Sequence, residues 1–180
     1  MLALYHQYPL DMRGEVLYPL NTLKYLYPDI YEREILKYQD HPNREDLPKR
    51  VIPLLNCLWN DVVQCSPIHP HLVYLALRER GFPVQPDRAF WQIPLSALAD
   101  VPIAVVGYPR NPLGQEHAHW LDRSTYCELD AVPAETLAWY DYLAQQKKLV
   151  GIFQGIPHVM VQGPISVLHA RKIHWGELPM

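Results

Sequence analysis

The sequence predicts an α+β fold in one domain spanning residues 1–180, and three observations lead there. A chain of 180 residues with 49% hydrophobic content can bury one substantial core and has the ordinary size of one domain. Short apolar or alternating runs recur among three to four helical stretches, without the regular strand–helix alternation of a doubly wound sheet. The 18 prolines, about twice the usual ~5%, are spread through the chain and so punctuate many short elements instead of marking one disordered tail.

Leu2–His6 reads as the first strand. Pro19–Tyr27 and Pro28–Gln39 read as helices, the second with Tyr27, Tyr31, Ile35 and Tyr38 on one stripe and charged residues around it. Asp40–Arg50 is a solvated loop by its charge, proline and asparagine content. Val51–Trp59 is a strand candidate. Ser66-Pro67 then supplies a cap and a first-turn proline for a helix running to Arg80, with Leu72, Leu75 and Ala76 on its core face and Gly81 ending it. Strand patterns follow at Phe90–Leu95, Val101–Tyr108, Leu149–Phe153, His158–Val161 and Ala170–Trp175. Between them Pro133–Lys148 carries a helical stripe of Leu137, Tyr140, Leu143 and Ala144, with Lys147 and Lys148 at the favourable C-terminal end. No internal repeat, linker or low-complexity segment interrupts the series.

Composition narrows the function classes. A net charge of −3 provides no global basic field for a polynucleotide. Three cysteines without a C-x-x-C pair form neither a disulfide framework nor a thiolate zinc site, so a reducing compartment, the cytoplasm, is expected. No run approaches the roughly 18 apolar residues of a membrane span, and the N-terminus lacks a charged leader and apolar stretch. The expectation is a soluble, unprocessed protein without a membrane partner.

The segment Val51–Pro70 places Asn56, Asn60 and Asp61 inside an apolar run. Each such group must find a partner or cost roughly 1–3 kcal/mol, which makes the segment a candidate site. Phe153–Val161 places Gln154 and His158 around a Gly-Ile-Pro turn, where Gly155 permits close backbone approach by a ligand. Tyr5-His6 at the end of the first strand offers a partner for ribose hydroxyls. Two H-x-H pairs, His69/His71 and His117/His119, have spacing that puts both rings on one face of a strand. His69 and His71 fall in the first turn of a predicted helix, where positions i and i+2 do not face each other. His117 and His119 are therefore the better metal candidates, but no third ligand is forced by spacing and no metal site is assigned. Phosphate-binding glycine motifs and a G-x-S-x-G nucleophile are absent, and Cys57 and Cys65 sit in apolar surroundings that make a thiol inert.

The order of Leu4-Tyr5-His6, a helical stretch, a strand running into Cys65-Ser66-Pro67-Ile68-His69-Pro70, then Phe90–Leu95 and His117-Ala118 resembles the ADP-ribosyltransferase-like fold. The nearest flavour is that of the DarT-type DNA ADP-ribosyltransferases and, more remotely, the RNA 2′-phosphotransferases. The resemblance implies two small facing sheets, mixed or antiparallel, with a cleft between them for NAD. It implies His6 on the nicotinamide-side ribose, Trp59–Ser66 as a pocket wall, and transfer to a nucleic acid or protein acceptor. The chain departs from that pattern at Cys65, where the toxins carry arginine, and at 150–153, where a catalytic glutamate is usual; Glu128 or Asp61 is left for the carboxylate role.

The expected site is accordingly a nucleotide cleft with NAD as first choice. Tyr5, His6, Tyr18, Trp59, Asn60, Ser66 and Gln154 would hold the ligand, Trp59 or Tyr18 by stacking. Asp61 and His158 are the catalytic candidates, Asp61 as stabiliser of an oxocarbenium-like transition state. The competing classes are a non-catalytic interaction or accessory protein, and a metal-dependent hydrolase using His117 and His119.

Overall fold

A computed structural model describes residues 2–38, 46–107, 117–149 and 151–179. In chain order it contains β1 (Ala3–Gln7), β2 (Val16–Leu17), α1 (Leu20–Leu26), α2 (Pro28–Ile35), β3 (Val51–Ile52), β4 (Cys57–Leu58), β5 (Val62–Cys65), α3 (Pro70–Glu79), β6 (Ala89–Pro94), β7 (Ile103–Gly107), β8 (His117–Trp120), α4 (Ala134–Gln145), β9 (His158–Gln162), β10 (Ile165–Ser166) and β11 (Arg171–His174). Among the described residues, four α-helices and several small antiparallel sheets make this an α+β fold. Among the described residues no helix is long and apolar enough to cross a membrane.

Two sheets organise the chain. One has the order β1-β6-β11 and the other β5-β9-β7-β8, while β10–β2 and β3–β4 form separate pairs. The two larger sheets meet at a bridge where Tyr5 and Ser66 exchange N–H···O bonds of 2.9 and 2.8 Å. The two-residue period of a strand then sorts side chains into different cores. Leu4 packs with Val63, Cys65, Ile93, Val159 and Val161, whereas its neighbours Ala3 and Tyr5 pack with Ile68, Val73, Leu77, Phe90, Ile173 and Trp175 under α3 and Tyr140 of α4. Val62, Ala104, Val106 and Met160 take the remaining face of the second sheet, covered by Trp59, Ile52, Tyr38 and the α1–α2 region.

Local chemistry explains where the structure departs from the sequence pattern. Val51–Trp59 is not one strand: Leu54 (φ 70°) and Asn56 (φ 49°) turn the chain so that β3 and β4 form a hairpin, and Asn56 is exposed. Trp59–Asp61 is a single 3-10 turn leading into β5, not the end of a central strand. Helix α3 starts one turn later than Ser66-Pro67 suggests, because the Ser66 backbone is committed to β1. Its cap is His69, whose side chain accepts the His71 N–H, and Pro70 is the first-turn proline. Val73, Tyr74, Ala76 and Leu77 form its buried face, and Leu75 turns outward at 39% exposure. The described part of Leu149–Phe153 contains no strand: Gly151 (φ 58°) and Gly155 (φ 82°) shape it into turns.

Candidate functional site

The residues expected to line one cleft lie on different faces. Adjacent strand residues alternate, so His6 projects from β1 opposite to Tyr5. The His6 ring donates through Nδ1 to the Gln64 carbonyl at 2.7 Å. Burial lowers its pKa, the Gln64 carbonyl opposes that, and the charge of Lys37 adds to it, so the ring is held neutral.

The side-chain oxygens of Asn60 and Asp61 in the Trp59–Asp61 turn accept hydrogen bonds from elsewhere in the protein. Asp61 Oδ1 accepts from Asn21 Nδ2 at 2.7 Å and Oδ2 from the Leu58 N–H at 2.8 Å, which closes the turn. Buried Asn60 accepts the Tyr38 hydroxyl at 2.7 Å; its Nδ2 has no hydrogen-bond partner among the described residues. Trp59 meets His158 edge-on, with ring centroids 6.1 Å apart. This brings Trp59, Asn60, Asp61 and His158 together on the α1–α2 side of the second sheet.

The remaining expected residues have other neighbours. Tyr18 makes an edge contact with Tyr27 at 6.4 Å. Ser66 pairs with Tyr5 through backbone, and its Oγ accepts the Ile68 N–H at 3.4 Å. Gln154 is exposed in the turn, with its N–H on the Gly151 carbonyl. A Cβ on Gly155 would lie 2.7 Å from Thr136 Oγ1, so this glycine serves close approach to α4 and not to a ligand.

A cavity of about 370 Å³ opens on the Tyr5 face of the first sheet, a volume within the ~300–1,000 Å³ of small-molecule sites. The register places Tyr5, Gln92 and Arg171 opposite one another on β1, β6 and β11, so the three form a polar row on one face. Gln92 and Arg171 line the cavity together with Ala3, Pro94, Ile173 and Leu178, with His69 from the cap of α3 and with His169 and Glu177. His69 stands edge-on to the Tyr5 ring at 5.0 Å. Its Nδ1 accepts the His71 N–H at 3.2 Å, which leaves the proton of the neutral ring on Nε2.

Glu128 braces this row. Its Oε1 accepts the Ala3 N–H at 2.8 Å and its Oε2 the Tyr5 hydroxyl at 2.7 Å, and Tyr126 donates to the Ala3 carbonyl at 2.8 Å. Burial, then the Glu128 hydrogen bond and charge, push the Tyr5 hydroxyl pKa up. Burial lowers the His69 pKa, opposed by Glu128 and Glu177 and reinforced by His71. Glu177 in turn accepts from His174 Nδ1 at 2.8 Å, which lowers its pKa.

Of the expected site residues, Tyr5 alone joins this polar row. His69, Gln92, His169, Arg171 and Glu177 were missed. The usable signal was a polar residue in each of three apolar strand patterns, but only the pairing register reveals that they share a face. His117 and His119 are exposed on β8, and among the described residues no group of three His, Cys, Asp or Glu is placed to hold a metal.

No family model, curated protein or solved structure matches this chain.

Proposed function

We propose that the protein binds a nucleotide, with NAD as first choice, in the cavity lined by Gln92 and Arg171, with Tyr5 behind Gln92 in the same row. The observation that carries this reading is the combination in one concavity of a guanidinium, two imidazoles, an amide and a carboxylate with the apolar side chains of Ala3, Pro94, Ile173 and Leu178. Arg171 and His169 offer N–H donors suited to phosphate oxygens, and the apolar side chains suit the flat face of a base. The resemblance to the ADP-ribosyltransferase-like fold supports the same ligand class from the order of elements, with the ribose contacts moved from His6 to the Tyr5 face of β1.

Glu128 is hydrogen-bonded to that row through Tyr5, and both its oxygens already accept hydrogen bonds from the chain. That favours binding as the primary function and makes ADP-ribosyl transfer to nucleic acid or protein the finer reading. Calorimetric titration with NAD, NADP and ADP-ribose, paired with Arg171→Ala, tests the proposal. Saturation at 100 times the dissociation constant stabilises by ~2.7 kcal/mol, so a melting shift accompanies binding. Heat and a melting shift that Arg171→Ala weakens support it; their absence with all three ligands refutes it. Nicotinamide release from NAD, lost in Glu128→Gln, would establish the transferase chemistry.

The alternative is an interaction protein. α1 and the turn after α2 expose Tyr25, Leu26 and Leu36 at 80%, 49% and 50%, a surface suited to a protein partner.

A further inference from the structure

We infer that Gln92 selects the ligand by presenting its side-chain carbonyl to the cavity, so that the nucleotide held there carries an N–H donor on its base, as an exocyclic amine or a carboxamide. This rests on the nucleotide reading above and adds to it which class of base is accepted.

The orientation follows from a chain of donors and acceptors that leaves one consistent arrangement. Glu128 holds the Ala3 N–H on one oxygen and the Tyr5 hydroxyl on the other, at 2.8 and 2.7 Å. A carboxylate only accepts, so the Tyr5 proton points to Glu128 and the Tyr5 oxygen is left to accept. Gln92, opposite Tyr5 in the register, therefore turns Nε2 toward that oxygen, at 3.5 Å. Oε1 occupies the other arm of the planar amide and remains for the cavity that Gln92 lines. Burial and Glu128 both favour the protonated Tyr5 hydroxyl, which keeps the relay in one polarity. A ligand edge that meets Oε1 must donate, and a carbonyl or carboxylate there sets acceptor against acceptor. Glu128 and Tyr5 are positioning residues in this scheme, acting through Gln92.

The test is a set of titrations with two pairs of mononucleotides, AMP against purine riboside 5′-monophosphate, which lacks the amine and has no other N–H on that edge, and nicotinamide mononucleotide against nicotinic acid mononucleotide. The member bearing the amine or carboxamide should bind about tenfold tighter or more, tenfold being ~1.4 kcal/mol. The pair that shows the preference distinguishes an adenine from a nicotinamide edge. In Glu128→Gln the new amide keeps its oxygen on the Ala3 N–H and donates through nitrogen to Tyr5, whose proton turns to Gln92. The Gln92 amide then turns over, and the preference should reverse or fall to parity. Tyr5→Phe cuts the relay and should also bring the ratio toward one. Equal binding within both pairs, or a preference untouched by both variants, overturns the inference while leaving the nucleotide reading in place. If none of the four binds, the orientation is decided on the ligand-free protein by NMR, and the nucleotide reading falls only if NAD, NADP and ADP-ribose are silent as well. Cross-relaxation between the Gln92 side-chain amide protons and the Tyr5 ring upholds the arrangement, and its absence overturns it.

Discussion

Replacing Gly155 by alanine should destabilise the protein by about 2–5 kcal/mol, from two separable causes. Gly155 has φ +82°, where an L residue costs roughly 1–2 kcal/mol. Its added Cβ would also lie 2.7 Å from Thr136 Oγ1 and 3.2 Å from the Thr136 backbone nitrogen. Thr136 is fully buried in α4, so the overlap must be relieved by moving the turn or the helix, at about 1–3 kcal/mol for overpacking. With a urea slope of about 2 kcal/mol/M, the middle of the usual range, the midpoint should fall by roughly 1–2.5 M at unchanged slope. Thr136→Ala removes the nearer contact and leaves both the backbone nitrogen and the positive φ. The double variant should therefore recover only part of the loss, and a mutant cycle should show positive coupling. Thr136→Ala alone should cost little, since its Oγ1 has no hydrogen-bond partner among the described residues. An unchanged midpoint in Gly155→Ala, or no recovery in the double variant, would refute the packing of this turn against α4.

Acid should destabilise the fold through His6 and His69. Both have pKa values lowered from 6.5, chiefly by burial, so below about pH 6.5 the unfolded chain binds protons that the folded protein does not. Stability should thus be flat above that pH and fall as pH drops, by up to about 1.4 kcal/mol per pH unit per histidine; urea melts at several pH values should show a shallower slope in His6→Asn. Asp61→Asn should cost about 1–2 kcal/mol in the same melts, because one of the Asn21 and Leu58 donors loses its acceptor, and should leave nucleotide affinity unchanged. Loss of affinity without loss of stability would return Asp61 to the site.

Most helices and strands were legible because their signals are local. Pro28 at the start of α2, Gly81 after α3 and the stripe containing Tyr140 and Leu143 all act within one turn or one face. The misread segments are those where a distant partner or a turn of positive φ decided the outcome. The start of α3 was displaced because Ser66 pairs with Tyr5, and Val51–Trp59 broke where Leu54 and Asn56 adopt positive φ. For the site, the polar character of Asn60 and Asp61 was visible, but their partners Tyr38 and Asn21 lie in the turn after α2 and in α1, and those partners turn them into anchors. The Tyr5–Gln92–Arg171 row was illegible for the complementary reason: its members come from three strands far apart in sequence and meet only through register.

The grip of Glu128 and Tyr126 on Ala3 also bears on how the chain comes to be folded. Ala3 contacts residues 125 and 123 positions later, β1 pairs with β6, and β6 is closed on its other side by β11 near the end of the described chain. During synthesis the first strand therefore emerges long before any of its partners. Its Leu4 and Tyr5 side chains, both buried in the finished protein, meet partners first at Val63, Cys65 and Ser66, and gain their sheet neighbour only when β6 (Ala89–Pro94) has followed. Such distant closure slows folding and leaves an apolar strand open to wrong pairing in the interval. The same residues that order the candidate ligand row are thus the late step of assembly, so the row is completed only when the N-terminal strand has been captured.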